Sequence, residues 1–130
     1  MSSNAIKVRK AEGRIRQLIQ VGANSFFADE AEPVGDGQGP DPHDLLDASL
    51  GVCTAMTVLL VAQRKQWPLQ DVRVEITHQE DDANYKMLRK IELVGTLTEE
   101  QRVYLMGIAN KCPIHKALHK KFEVESTLVG

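Results

Sequence analysis

The stretch DLLDASLGVCTAMTVLLVAQRK, Asp44 to Lys65, decides the fold. Pro42 stands where the first helical turn would be, and Asp44 and Asp47 lie near the positive end of the helix dipole. Ala, Leu and Met fill the middle, and Arg64 and Lys65 close the far end. This pattern predicts a helix from Pro42 to about Lys65. Leu46, Leu50, Val52, Met56, Val58 and Leu60 are spread so widely around it that no broad polar face remains, so the helix must be covered nearly all round. So small a domain cannot supply that cover alone, and a second subunit is the expected source. A membrane span is the competing explanation. Asp47, Ser49, Thr54 and Thr57 interrupt the apolar run, however, and the flanking segments read as soluble strands, so no membrane is expected.

Working outward toward the amino terminus, Ile6–Lys10 and Arg14–Val21 alternate weakly around a plausible turn at Glu12-Gly13. They are expected to form a hairpin, to which Asn24–Ala28 adds a third strand. Between Asp29 and Pro42 the composition shifts to DEAEPVGDGQGPDP, a long solvated loop leading directly into the cysteine-bearing helix. Its glycines Gly35, Gly37 and Gly39 do not have phosphate-loop spacing, no G-K-[ST] follows, and Asp36 and Asp41 would repel a phosphate.

Toward the carboxyl terminus, Val72–Thr77 alternates with period two. QEDDANYK makes a charged turn, and Leu88–Leu97 is extended again. Thr98-Glu99-Glu100-Gln101 has the pattern of a capping box, opening a helix with Val103, Leu105, Met106 and Ile108 inward and an end near Asn110. Pro113 then suits the first turn of a short helix to about Lys120, which puts Cys112 at or beside its N-terminus. Phe122, Val124, Ser126 and Leu128 alternate with polar neighbours as a closing strand. The order of strands, long helix, strands, helices and strand is that of an α+β domain with an antiparallel sheet.

The chain of 130 residues is expected to form one globular domain spanning 1–130, able to bury about two thirds of its extended-chain surface. Sixteen basic against 18 acidic side chains, a formal charge of −2, supply no cationic excess for nucleic acid. The polar start MSSNAIKVRKAEGR lacks an apolar signal region, so a cytoplasmic location is expected. Cys53 and Cys112 are too few for a disulfide scaffold, and a bond between them in a reducing compartment would be transient.

Cys53 reads either as a small buried hydrophobe or as a reagent, and the helix alone does not decide which. At Cys112 the unpaired amides of a helix start would stabilise a thiolate, so function and packing are both open there. Two such sulfurs can act together. One thiolate attacks a peroxide oxygen and becomes a sulfenic acid, and the second thiol condenses with it to a disulfide.

GPDPHDLLDASLGVCTAMTVLLVAQRKQWPL together with the later EEQRVYLMGIANKCPIHKAL resembles the OsmC/Ohr superfamily of thiol-dependent peroxidases. Its members carry G-P-x-P-x-[ED]-L-L-x-A-x-x-x-C-T-A-M and a later N-x-C-P-[VI]-H, and the likeness covers nearly the whole chain. The resemblance implies a single OsmC-like domain in an intertwined homodimer, with the cysteine helices sandwiched between sheets and the site at the subunit interface. It implies Cys53 as the peroxidatic thiolate and Cys112 as the resolving thiol, organic hydroperoxides as substrates, a dithiol or lipoyl-type reductant, and no cofactor. Relatives place a glutamate directly after the proline that opens the helix. This chain has His43 there and the acid one residue later, at Asp44. The superfamily's arginine comes from an early strand, for which Arg14 is the candidate, with Arg16 behind it.

A rival from another class is a non-enzymatic metal- or small-ligand-binding module. Cys112, His115 and His119 have the spacing at which a thiolate and two histidines of one helix face could hold zinc. His43 is read also as a solvated cap residue, and His78, near a strand end, as surface.

Overall fold

The structure is a computed structural model, and it describes residues 4–130. The chain divides into two compact units, one ending at Leu46 and one running from Asp47 to Gly130.

In the first unit β1 (Ile6–Lys10), β2 (Gln17–Val21) and β3 (Asn24–Ala28) form an antiparallel meander with β2 in the centre. The β1–β2 turn falls where Glu12-Gly13 predicts it, and Gly13 adopts a φ of 103° that a side chain would oppose. β2 begins at Gln17 instead of Arg14. Arg14 N donates to Asp36 Oδ2 at 2.9 Å, and Ala11 N donates to Arg16 O at 2.8 Å, so the intervening backbone is bonded away from the ladder.

The loop after β3 is organised by Asp29, which is 4% exposed. Its carboxylate accepts N–H bonds from Glu30 (2.8 Å), Gln38 (3.1 Å) and Asp36 (3.3 Å). Gly35 is required here because a Cβ would stand 2.3 Å from Asp29 Oδ1 and from Glu30 O. Burial pushes the Asp29 carboxyl up, but the three amides and the Arg16 guanidinium outweigh it and hold the group below the usual carboxylate range. A depressed folded-state value contributes stability that is present above the usual carboxylate range and lost as pH falls through the folded value. Asp29→Asn is therefore expected to lower the denaturation midpoint at neutral pH, with the gap from the wild type closing as the solution is acidified below that range.

At the end of the loop, Asp41 and Asp44 cap α1 (Pro42–Arg64) reciprocally. Asp44 N donates to Asp41 Oδ1 at 2.8 Å, and Asp41 N donates to Asp44 Oδ2 at 3.1 Å. The helix occupies the residues its sequence predicts.

In the second unit, β4 (Leu69–Glu80) and β5 (Tyr85–Gly95) pair antiparallel, with Val72 opposite Leu93, Val74 opposite Ile91, Ile76 opposite Arg89 and His78 opposite Met87. Asp81 holds their turn by accepting from Ala83 N and Asn84 N. The core gathers Val58 and Ala62 of α1, Val72 of β4, and Leu105 and Ala109 of α2 (Glu99–Ala109). The Thr98–Gln101 capping box is complete, and Asn110 ends α2 as expected. The inward face differs from expectation: Leu105 is fully buried and Ile108 borders the core, but Val103 is 65% exposed and Met106 is exposed. The stripe against the sheet is set by Arg102, Leu105 and Ala109. Arg102 donates to Leu93 O and Gly95 O of β5, and that anchor turns Val103 and Met106 outward.

Two further expectations, the closing strand and the reach of the last helix, are corrected. Within one chain α1 is covered on a single stripe, Asp47, Leu50, Thr54, Val58 and Ala62, while Val52, Met56 and Leu60 lie open on the other side. The helix therefore satisfies the length and composition of a membrane span, although its buried stripe belongs to the core of this unit. Residues 121–130 form no strand, and Val124 and Leu128 are exposed. Alternation alone makes no strand without a neighbouring backbone to bond. The short α3 (Pro113–Ala117) ends before Lys120.

Candidate active site

Cys112 is buried and caps α3 with its own sulfur. Pro113 in the first turn needs no N–H partner and presets the backbone, leaving the next two amides free to point at sulfur. His115 N donates to Cys112 Sγ at 3.3 Å, and Ile114 N donates to Cys53 Sγ at 3.5 Å. Consecutive amides of one turn thus serve both thiols, which lie 59 positions apart in the sequence. Both cysteines are free; Cys53 is half-buried and Cys112 fully buried.

Beside them is the fully buried Thr54. Its hydroxyl donates to Leu50 O at 2.7 Å, accepts from Arg89 Nη1 at 3.0 Å, and lies 3.9 Å from Cys112 Sγ. A hydroxyl has one proton, and Leu50 takes it, so in the contact with Cys112 the thiol is the donor. Arg89 also donates to Ala109 O at 3.2 Å and to Asn110 Oδ1 at 2.6 Å. One guanidinium from β5 therefore ties the threonine next to Cys53 to the end of α2, from which the chain turns into Cys112.

A second polar group lies one to two turns earlier on α1. The Asp47 carboxylate accepts the Tyr85 hydroxyl at 2.8 Å and His78 Nδ1–H at 2.5 Å, and the two rings stack with centroids 4.8 Å apart. His78 lies at the surface, as its strand-end position suggests, and is held there by a buried acid. Tyr85, Arg89, His115 and His119, with Leu50, Met87 and Leu118, line a cavity of about 360 Å³.

The remaining sequence candidates lie as follows. Arg14 is exposed in the first unit, where its guanidinium donates to Pro33 O and lies 3.9 Å from Asp36. Arg16 lies 4.0 Å from Asp29 and over the Phe27 ring. Asp44 is occupied in the α1 cap, and His43 is exposed in the first turn of that helix. His115 Nδ1 bonds Asn110 O and His119 Nδ1 bonds His115 O, both at 2.8 Å. Among the described residues no three His, Cys, Asp or Glu side chains converge as metal ligands, so Cys112, His115 and His119 do not form the zinc set their spacing suggests.

Arg89 and His78 are the site residues that the sequence alone did not single out, although a signal was present. Each occupies the inward register of an alternating strand, Arg89 between Met87 and Ile91 and His78 two residues after Ile76. A charge at an inward position needs a reason.

Comparison with known proteins finds the same fold elsewhere. A protein from Psychrobacter arcticus 273-4, described as an osmotic stress induced and detoxification response protein, superposes with a TM-score of 0.76 at 20% identity, over 92% of this chain and 90% of that one. An OsmC like protein from Mycoplasma pneumoniae gives 0.75 at 16% identity, covering 90% and 87%. An organic hydroperoxide resistance protein OsmC from Legionella pneumophila gives 0.66 at 17% identity, covering 92% and 90%. These likenesses establish a shared fold. No curated protein matches the chain. The family model for OsmC-like proteins matches residues 35–127, a span that includes both cysteines and the Thr54–Arg89 link, and the chain accordingly belongs to the OsmC-like protein family.

Proposed function

We propose that this chain is a thiol-dependent peroxidase that reduces organic hydroperoxides in the cytoplasm. The observation that carries the reading is the pair of adjacent amides, Ile114 N and His115 N, bonded to two free sulfurs from remote parts of the sequence. Cys53, the more accessible of the two, attacks the distal peroxide oxygen as a thiolate. The O–O bond breaks, the alcohol leaves with a proton, and sulfur is oxidised to sulfenic acid. Cys112 then attacks that sulfur, a disulfide forms, and water departs. A dithiol or lipoyl-type donor returns both thiols by exchange and is itself oxidised to a disulfide.

The amides face the sulfurs where negative charge is held and transferred, and Arg89 fixes the turn that carries Cys112. Arg14, Asp44 and His43 are proposed as further site residues on the family likeness alone.

The working form proposed is a homodimer. Val52, Met56 and Leu60 form an open apolar row on α1, and residues 121–130 have strand alternation without a strand partner. A second copy would cover the row and offer a sheet edge to the tail. The function is tested by steady-state consumption of an organic hydroperoxide with a dithiol donor, alongside molar mass by light scattering. Turnover well above the uncatalysed rate and a dimeric mass are expected. Thiols inert to peroxide would contradict the catalytic reading, and a monodisperse monomer would contradict the assembly.

A further inference from the structure

We propose that Thr54 is a positioning residue for the closing of the disulfide: its hydroxyl oxygen accepts the Cys112 S–H and so fixes where that thiol waits, beside the turn that carries Cys53. The proposal rests on the peroxidase reading and deepens it, by giving the second step a residue other than the two cysteines. A hydroxyl oxygen has four directions, namely its bond to carbon, one proton and two lone pairs. At Thr54 three of them are taken. Oγ1 is bonded to Cβ, its proton goes to Leu50 O at 2.7 Å, and it accepts Arg89 Nη1–H at 3.0 Å. The fourth, a lone pair, is left for Cys112 Sγ, 3.9 Å away. Thr54 is fully buried, so bulk solvent does not compete for that lone pair.

The arrangement is built from both sides. A β-branched residue in a helix has few rotamers, and those of threonine let Oγ1 reach a carbonyl of the preceding turn. Leu50 O, four residues back, is that carbonyl. Arg89 secures the hydroxyl from β5, and the same guanidinium holds Ala109 O at 3.2 Å and Asn110 Oδ1 at 2.6 Å, where the chain turns into Cys112. One cation thereby fixes both ends of the contact between Thr54 and Cys112. Cys112 Sγ also accepts His115 N–H at 3.3 Å. A thiol with one acceptor for its proton and one donor to its sulfur has a set orientation. In the closing step the Cys112 sulfur attacks the sulfenic sulfur of Cys53. The S–S bond forms, the S–O bond breaks, and the proton that Cys112 had given toward Thr54 leaves with the hydroxide as water. Thr54 ends with the proton it began with, having held the thiol in place until the sulfenic acid existed.

The test is single-turnover oxidation of the full-length reduced protein by one equivalent of an organic hydroperoxide, followed by intact mass on samples quenched in time. Wild type is compared with Thr54→Val, which nearly keeps the shape and removes the hydroxyl, and with Thr54→Ser, which keeps the hydroxyl. In Thr54→Val the closing step is expected to slow about tenfold or more, the factor carried by one buried hydrogen bond, while Cys53 gains oxygen at the wild-type rate. Thr54→Ser is expected to restore closing. A Thr54→Val protein that closes at the wild-type rate, or a Thr54→Ser protein as slow as Thr54→Val, overturns the proposal. A spectroscopic arm leaves Thr54 unchanged: in Cys53→Ser the infrared S–H stretch belongs to Cys112 alone. A band lowered from the free-thiol position supports the proposal, and a free-thiol band overturns it, also where Thr54→Val does not fold. If neither sulfur reacts with the peroxide, the peroxidase reading fails by itself. Closing is then timed after oxidation by diamide, and the same two variants decide the part assigned to Thr54.

Discussion

Cys53→Ser is expected to reduce hydroperoxide-dependent oxidation of a dithiol to the uncatalysed background, and Cys112→Ser to do something different. Serine oxygen has no sulfenic state, so the first variant has no acceptor for the peroxide oxygen. The second retains Cys53 and its Ile114 amide, reacts once, and accumulates a sulfenic acid seen as the gain of one oxygen in intact mass and as an adduct with a sulfenate-selective carbon acid. The contrast follows from placement: Cys53 is half-buried and open to an oxidant, while Cys112 is fully buried and makes its contacts with His115 N and Thr54. If the two serine variants behave alike, or if Cys112 is the sulfur that gains oxygen, the division of roles is wrong.

The second large effect is expected at Leu105, which is fully buried on α2 at the centre of the core formed with Val58, Ala62, Val72 and Ala109. Leu105→Ala removes the side chain from a packed interior and leaves a cavity, which costs about 2–5 kcal/mol. Against a typical total of about 5–15 kcal/mol this is a large fraction of the stability. The consequence extends to the site, because α2 ends at Asn110 and delivers Cys112 through backbone bonds to Ala109 O and Ile108 O. Equilibrium denaturation should show the loss of stability, and quenched-flow oxidation should show slower disulfide closure with the first oxidation of Cys53 less affected. A loss under 1 kcal/mol would mean that α2 is not packed as described.

How much of this was legible beforehand depended on whether a feature was local. The α1 helix with its acidic first turn, the Thr98 capping box and the position of Cys112 at a helix start are fixed by residues within one or two turns, and all of them follow from the sequence. The three-stranded meander and the β4–β5 hairpin were equally readable from alternation and turn residues. What could not be read depended on partners far along the chain. Val103 and Met106 fit the helical period as well as Leu105 does, and only the reach of Arg102 to β5 carbonyls chooses between them. The tail at 121–130 has the pattern of a strand and no strand beside it within the chain.

The site divides in the same way. Cys53 and Cys112 were found from two motifs together, because neither sulfur carries its purpose alone. Arg89 belongs to neither cysteine motif. Its own signal was a cation between Met87 and Ile91 on the inward face. The link from Arg89 to Thr54, and from Asp47 to His78 and Tyr85, joins residues more than thirty positions apart. No periodicity reports such pairings.

The most direct test of the account is the intact mass and cross-link map of the reduced wild-type protein after one equivalent of an organic hydroperoxide. The account predicts the loss of one hydrogen pair, a Cys53–Cys112 bridge within a single chain, and full return to the starting mass with a dithiol. Unchanged thiols, or a Cys53 oxidised beyond sulfenic acid with Cys112 still free, would contradict it.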